Sequence, residues 1–469
     1  MIKPKLFSKL KFATMAVSLV FSSSLLASPV VQGTSDQTIT DIAKEAYIYS
    51  VAPTYSYEFL FDEVFNEDCE NYIGAFNTFR HYQRFNTPED KMITPAVDFF
   101  YSRAWLDLRT GPVAITVPKL TPEDRYYVLQ GISLDHYNLD FFGTRTGAQN
   151  GGTVLYVGPD YQGDIPEGKY DRIVQADADF VYMQLRVQTK DEQDAKAVSQ
   201  WQNQLRITNM QGTVISGKSA QEQESQFAEY KDHNKSLYTP KIYEYLPFLL
   251  EHVTLDDPVE KAMVNRFAQI GLKAGEEFDL NDYEKHEQKA IIKGFDQGVA
   301  ELKEALKNVR TSVGVLGSKE ELKFNYVNIA TGAVAGIFGN SPNEALYYGK
   351  QMDYAKAGEK YVLHFPADAI PPVHDKGFWS ITMYDYPARL LIHNELERYS
   401  LGDRSESLKF NKDGSLDIYM QAEAPTADKI GNWLPTPKEG PFWYVVRLYI
   451  PQDKAISGEW AAPTPTLVK

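Results

Sequence analysis

Apolar and polar positions change period along the chain. Ile39, Ile42, Ala43, Ala46 and Tyr47 fall on one helical face and predict a short helix. Residues 51–95 are mixed and aromatic-rich and predict no definite element. From about Tyr101 to Gln188 the period becomes two. Val113, Ile115 and Val117 alternate before Pro118, and Tyr127 and Leu129 continue the pattern. Gly151-Gly152 precedes the run Thr153 to Val157, which Gly158-Pro159 stops. Val181, Met183, Leu185 and Val187 form a fourth alternating run.

Residues 189–355 turn helical. Thr189-x-x-Glu192 reads as a capping box. Asp257-Pro258 opens a helix whose face is Val259, Ala262, Met263, Phe267 and Ile270, with Gly271 after its end. Ile292, Phe295, Val299, Leu302, Leu306 and Val309 mark one long amphipathic helix. Ser341-Pro342-Asn343-Glu344 reads as another helix start. The polar interval 211–240 reads as a surface excursion or linker. From Tyr361 onward the texture is β again, with Trp379, Ile381 and Met383 alternating, then Leu416, Ile418 and Met420. Phe442 to Ile450 is apolar on both parities except at Arg447, which predicts a strand buried on both faces.

The two β regions echo one another. Each has a strand into proline, a strand ending in Asp-His-Tyr or Asp-Tyr, and a last strand carrying Phe-x-Tyr and then arginine. These last are Phe180, Tyr182 and Arg186, and Phe442, Tyr444 and Arg447. The arginine spacing differs by one residue, so ideal strands would turn the two arginines to opposite faces unless a bulge intervened. The expected fold class is multidomain α+β, with two antiparallel β-sandwich domains of similar topology and a largely helical segment between them. The expected divisions are 1–27 signal, 28–95 N-terminal helix and mixed segment, 96–188 first β-domain, 189–355 helical segment and 356–469 second β-domain.

The signal reading comes from Lys3, Lys5, Lys9 and Lys11 ahead of an uncharged run from Phe12 to Leu26, with Ala27 at a cleavage point. About 15 apolar residues are too few to span a bilayer comfortably, so the mature protein is expected in the periplasm or secreted, without an integral membrane span. The lone Cys69 lies among Glu67, Asp68 and Glu70, which should suppress its thiolate. The formal charge of −15 rises in magnitude to −19 once four signal lysines are removed, which argues against nucleic acid as a partner. No phosphate loop, dinucleotide loop, nucleophile elbow or H-E-x-x-H occurs among the eight histidines, so no cofactor or metal is called for.

Three segments carry a family resemblance. The first is Asp98-Phe99-Phe100-Tyr101-Ser102-Arg103-Ala104-Trp105-Leu106-Asp107. The second runs from Phe378-Trp379-Ser380 to Tyr384-Asp385, then Arg398-Tyr399-Ser400-Leu401-Gly402-Asp403. The third is Asn432-Trp433-Leu434-Pro435 with Arg447-Leu448-Tyr449. Together they resemble the bacterial family that joins domains of unknown function twelve-fifty-four (N-terminal) and twelve-fourteen (C-terminal). The resemblance covers nearly all of the mature chain. It implies two jelly-roll-like β-domains with helices between them, and names no reaction. The first motif departs from the usual Asn-x-Asp-Thr-x-Tyr, since Ala96 and Phe99 stand where asparagine and threonine are common.

Asp98, Tyr101 and Asp107 are candidates to converge at a β-domain mouth. Asp98 and Tyr101, joined by His136 at a strand end, are the candidate catalytic groups. Their bland alternative is loop-holding through backbone bonds. Asp107, Trp379, Tyr384, Trp433 and Arg447 are candidate ligand contacts. The aromatics, with Tyr449, form either a platform or simple core packing. Arg447 inside an apolar strand needs a carboxylate partner or an anionic ligand. Two functions stay open: a periplasmic hydrolase or lyase acting on a small polar or carbohydrate-like substrate, and a non-catalytic ligand-binding or assembly protein, the latter including a homo-oligomer.

Overall fold

The computed structural model describes residues 28–91, 93–215, 224–230, 236–355, 358–438 and 440–468. The expected signal, residues 1–27, lies outside the described residues, as does part of the 211–240 interval. Helix α1 spans Asp36–Val64 and is capped by Ser35, whose hydroxyl accepts from the Thr38 N–H at 3.1 Å. The expected short helix is thus 29 residues long and passes through Pro53. Its second half is buried on nearly every side, so no polar stripe marks it in the sequence. The helices Ile242–Glu251, Pro258–Phe267, Lys285–Asn308 and Tyr326–Gly336 pack around it.

Strands β1 (Arg80–Tyr82), β2 (Phe99–Asp107), β3 (Val113–Val117), β4 (Tyr127–Ser133), β5 (Asn138–Gly143), β6 (Gly152–Val157), β7 (Arg172–Gln175) and β8 (Phe180–Gln188) come next. Helix α2 (Glu192–Gln202) and strand β9 (Arg206–Asn209) close the first β-unit. One sheet has the order β1-β2-β8-β4-β5 and the other β7-β6-β3-β9. Val181, Met183, Leu185 and Val187 of β8 meet Val113, Ile115, Val154 and Tyr156 in the core between the two sheets.

The second unit holds β10 (Ala345–Ala355), β11 (Tyr361–Phe365), β12 (Val373–Asp385), β13 (Ser400–Gly402), β14 (Leu416–Gln421), β15 (Trp433–Pro435), β16 (Gly440–Pro451) and β17 (Thr466–Leu467). Its sheets run β10-β16-β12-β13 and β15-β14-β11-β17 around their own core. Adding eight to each strand number of β2-β8-β4-β5 and β7-β6-β3-β9 reproduces these two orders. The senses agree as well: β6–β7 and β14–β15 are parallel, and the other pairs within the two eight-strand sets are antiparallel. A helix follows β8 in one unit and β16 in the other, α2 and Asp453–Ile456 respectively. The indole of Trp201 then donates to the Pro118 carbonyl after β3, and that of Trp460 to the Ala369 carbonyl after β11. The expected internal echo is therefore a shared topology.

Some local expectations are corrected. The cap of α2 is Asp191, accepting from the Asp194 N–H at 2.8 Å, not Thr189. Ser341-x-x-Glu344 opens strand β10, not a helix, because the Glu344 side chain is taken by Tyr126 and Arg145. Val259 and Ile292, expected on buried helix faces, are 61% and 38% exposed. No bulge separates the two arginines. Pairing is continuous from Phe180 to Gln188 and from Phe442 to Tyr449, and both arginines face away from their own cores. Phe180 and Tyr182 face outward while Phe442 and Tyr444 face inward, so the arginines are equivalent and the Phe-x-Tyr pairs are not.

Candidate functional site

The outer faces of the sheets holding β8 and β16 meet. Phe99, Tyr126, Phe378 and Tyr449 seal one part of the contact, with the Phe378 and Tyr449 rings stacked 4.4 Å apart. Polar groups fill the part beside them. Strand register sets Arg186 opposite Tyr101, and at the equivalent place in the second unit Arg447 opposite Tyr347. Both guanidiniums are buried, at 7% and 4% exposure, whereas Asp98, Tyr101 and Tyr347 are half-buried.

Arg186 donates to Gln130 Oε1 at 2.5 Å, Asn340 Oδ1 at 3.0 Å and the Phe338 carbonyl at 3.0 Å. Arg447 donates to Thr382 Oγ1 and the Tyr384 hydroxyl, each at 2.8 Å, and to the Thr94 carbonyl at 3.1 Å. Asn340 Nδ2 donates to the Tyr347 hydroxyl at 2.8 Å, which ties the two Tyr–Arg pairs together. Ser380 Oγ donates to Asp98 Oδ2 at 2.8 Å. Burial raises the Asp98 carboxyl above its ordinary value, and the positive charge of Arg447 opposes that shift. Burial also raises the Tyr101 phenol, against the pull of Arg186, Arg447 and Arg103. A carboxyl and a phenol near guanidiniums can exchange protons with a ligand and hold negative charge.

The sequence candidates divide. Asp98, Tyr101, Tyr384 and Arg447 come together here, and Tyr384 also donates to the Pro95 carbonyl at 2.6 Å. His136 lies one step away, with φ at +77°. Its Nε2 accepts from the Phe338 N–H at 3.0 Å, and burial lowers its pKa to about 4. The Phe338 carbonyl in turn receives Arg186. Asp107 is elsewhere and holds Arg109 through two bonds of 2.9 and 2.8 Å. Trp379 lies in the core of the second unit, and Trp433 donates to the Gln421 carbonyl at 2.8 Å. The four aromatics do not form one platform: Trp379 faces the core while Tyr384 and Tyr449 face the first unit.

Sequence reasoning missed Tyr347, Asn340 and Gln130 and underused Arg186. Arg186 carries the same signal as Arg447, a cation inside an apolar strand. The others become visible only through strand register.

A separate pocket of about 430 Å³ lies at the edge of the second unit, lined by Arg310, Tyr348, Lys350, Trp460 and Thr464 among others, with no carboxylate in its lining. Among the described residues no three His, Cys, Asp or Glu side chains gather as metal ligands, and no helix is long and apolar enough to cross a membrane.

Residues 76–209 match the family model described as Protein of unknown function (DUF1254), and residues 344–453 match that of Protein of unknown function (DUF1214). No curated protein matches the chain. Among solved structures it is similar to the VPA0106 protein from Vibrio parahaemolyticus, with 26% identity and a TM-score of 0.69 over 92% of this chain and all of that one. An uncharacterized protein from Burkholderia cenocepacia matches at 12% identity and a TM-score of 0.42 over 92% of this chain and 94% of that one.

Proposed function

The chain belongs to the family pairing these two domains of unknown function, and from the side chains at the seam between its two β-units we propose that it is an exported enzyme. The reading is a hydrolase or lyase acting on a small polar or carbohydrate-like substrate in the cleft between two jelly-roll-like units. The observation that carries it is that half-buried Asp98 and Tyr101 both lie within electrostatic reach of the buried Arg447. Asp98 acts as general base, its affinity for a proton raised by burial. Tyr101 acts as the acid, and Arg186 and Arg447 hold the charge that develops. His136 is a positioning residue, fixing Phe338 and through its carbonyl the Arg186 guanidinium.

The test is turnover of a panel of chromogenic esters, lactones and glycosides by the full mature chain. D98N and Y101F are each expected to lower kcat by about 10²-fold or more while both variants stay folded. Unchanged turnover in both would end the catalytic assignment. Fractionation checks the address, with accumulation outside the cytoplasm expected.

One observation favours a second reading, a non-catalytic binding or assembly protein. The 430 Å³ pocket offers Arg310 and Lys350 beside Tyr348 and Trp460 on a strongly acidic chain. Under that reading R310A and K350A abolish ligand or self-association, and D98N does not.

A further inference from the structure

We infer that the polar seam between the two units, proposed above as the substrate cleft, takes a ligand bearing a carboxylate, held between Arg186 and Arg447. The inference rests on the cleft being the site, but not on its being catalytic. Each arginine sits on the central strand of its unit at the equivalent position, opposite a tyrosine. Both are buried, yet among the described residues neither has a carboxylate within 4.0 Å. The acids whose charge reaches them, Asp98 for Arg447 and Glu344 for Arg186, already have other partners. Asp98 accepts from Ser380, and Glu344 is held by Tyr126 at 2.7 Å and Arg145 at 2.5 Å. Burial raises both these carboxyls above their ordinary values, against the pull of Arg447 on Asp98 and of Arg145 on Glu344.

Two buried guanidiniums without a contact anion are costly unless something else balances them. Donor counting points the same way. A guanidinium has five N–H donors. Three are used on Arg186 and three on Arg447, leaving two on each. A carboxylate has two oxygens and about four acceptor sites, which matches those four donors. Both guanidiniums lie close enough to Tyr101 to draw its phenol down, and the Arg186 guanidinium carbon is 5.9 Å from the Tyr101 ring centre. The anion therefore comes to rest beside Tyr101 and Asp98, where the rest of the substrate would react.

The experiment is ¹⁹F NMR of trifluoroacetate and its neutral isostere trifluoroacetamide with the full mature chain, with propionate and inorganic phosphate as competitors. Trifluoroacetate is expected to broaden on binding, trifluoroacetamide not, and propionate to displace it better than phosphate. R186Q and R447Q are each expected to weaken binding at least tenfold. Equal binding of acid and amide, better displacement by phosphate, or unchanged binding in folded R186Q and R447Q would overturn the proposal. Should either variant fail to fold, wild-type crystals grown in sodium bromide decide. An anomalous peak between the two guanidiniums supports the site, and its absence rejects it. The two readings fail separately. Anion binding with turnover indifferent to Asp98 and Tyr101 removes only the catalysis. Asp98-dependent turnover of a neutral substrate with no anion bound removes only this inference.

Discussion

At the scale of single residues, burial decides which charges matter. Glu63 is 1% exposed, accepts from the Trp105 indole at 2.9 Å and lies 3.3 Å from Arg103. Burial nevertheless outweighs these partners and raises its pKa from 4.5 to about 7. The folded state then holds a proton that the unfolded state has released, so stability falls as pH rises from 4.5 through 7. Relative to E63Q, the wild type is expected to lose about 3 kcal/mol across that window, read as the difference between urea-unfolding free energies at each pH. His136 shifts the other way. Its pKa of about 4 means that it stays neutral at pH 5, where a free imidazole is mostly charged, and ¹⁵N shifts of the ring nitrogens check this. The stability it lends is full above 6.5 and is lost as pH falls through 4. Arg447 was legible as a candidate-site residue because one charge interrupts an otherwise apolar strand. Tyr347 was not, because a tyrosine in a strand is ordinary until its cross-strand partner is known.

At the scale of elements, period-two strands were legible and fully buried helices were not. Strands β3, β4, β8, β12 and β14 stand where alternation put them, since each has one face in a core. The second half of α1 has no polar face to announce it, and Ser341-x-x-Glu344 has the letters of a cap while its glutamate is committed to another domain. Glycine chemistry shows the same dependence on context. A Cβ on Gly294 would stand 2.3 Å from the Thr40 carbonyl oxygen and 2.9 Å from the Lys44 nitrogen, both backbone atoms of α1. G294A is expected to cost about 2 kcal/mol, because overpacking outweighs the gain in helix propensity. Gly336, at the end of the helix Tyr326–Gly336, has nothing within 4 Å of such a Cβ. G336A is expected to gain roughly 0.5 kcal/mol, and chemical denaturation of the pair separates the two signs.

At the scale of the molecule, a shared strand order sets which faces of the two units meet. Two units with one strand order meet through equivalent outer faces, so two copies of a Tyr–Arg pair arrive at a single seam. The sequence echo pointed to this, but through Phe-x-Tyr pairs that face opposite ways. Only the arginine register survives as the true correspondence, because facing is fixed by which residues the core needs and not by local similarity. The seam is held mainly by aromatic rings, and Phe378 is its centre. It is 2% exposed and packs against Phe99, Tyr126 and Tyr449 from both units. F378A should cost about 3–5 kcal/mol through lost burial and an unfilled cavity. Its loss falls on the contact between the units while each keeps its own core. Scanning calorimetry is therefore expected to show one transition for the wild type and two for F378A. F410A, which removes a ring 51% exposed, should stay within about 0.5 kcal/mol of wild type. A single, merely lowered transition in F378A would mean that the helical layer around α1, not the aromatic seam, couples the two units.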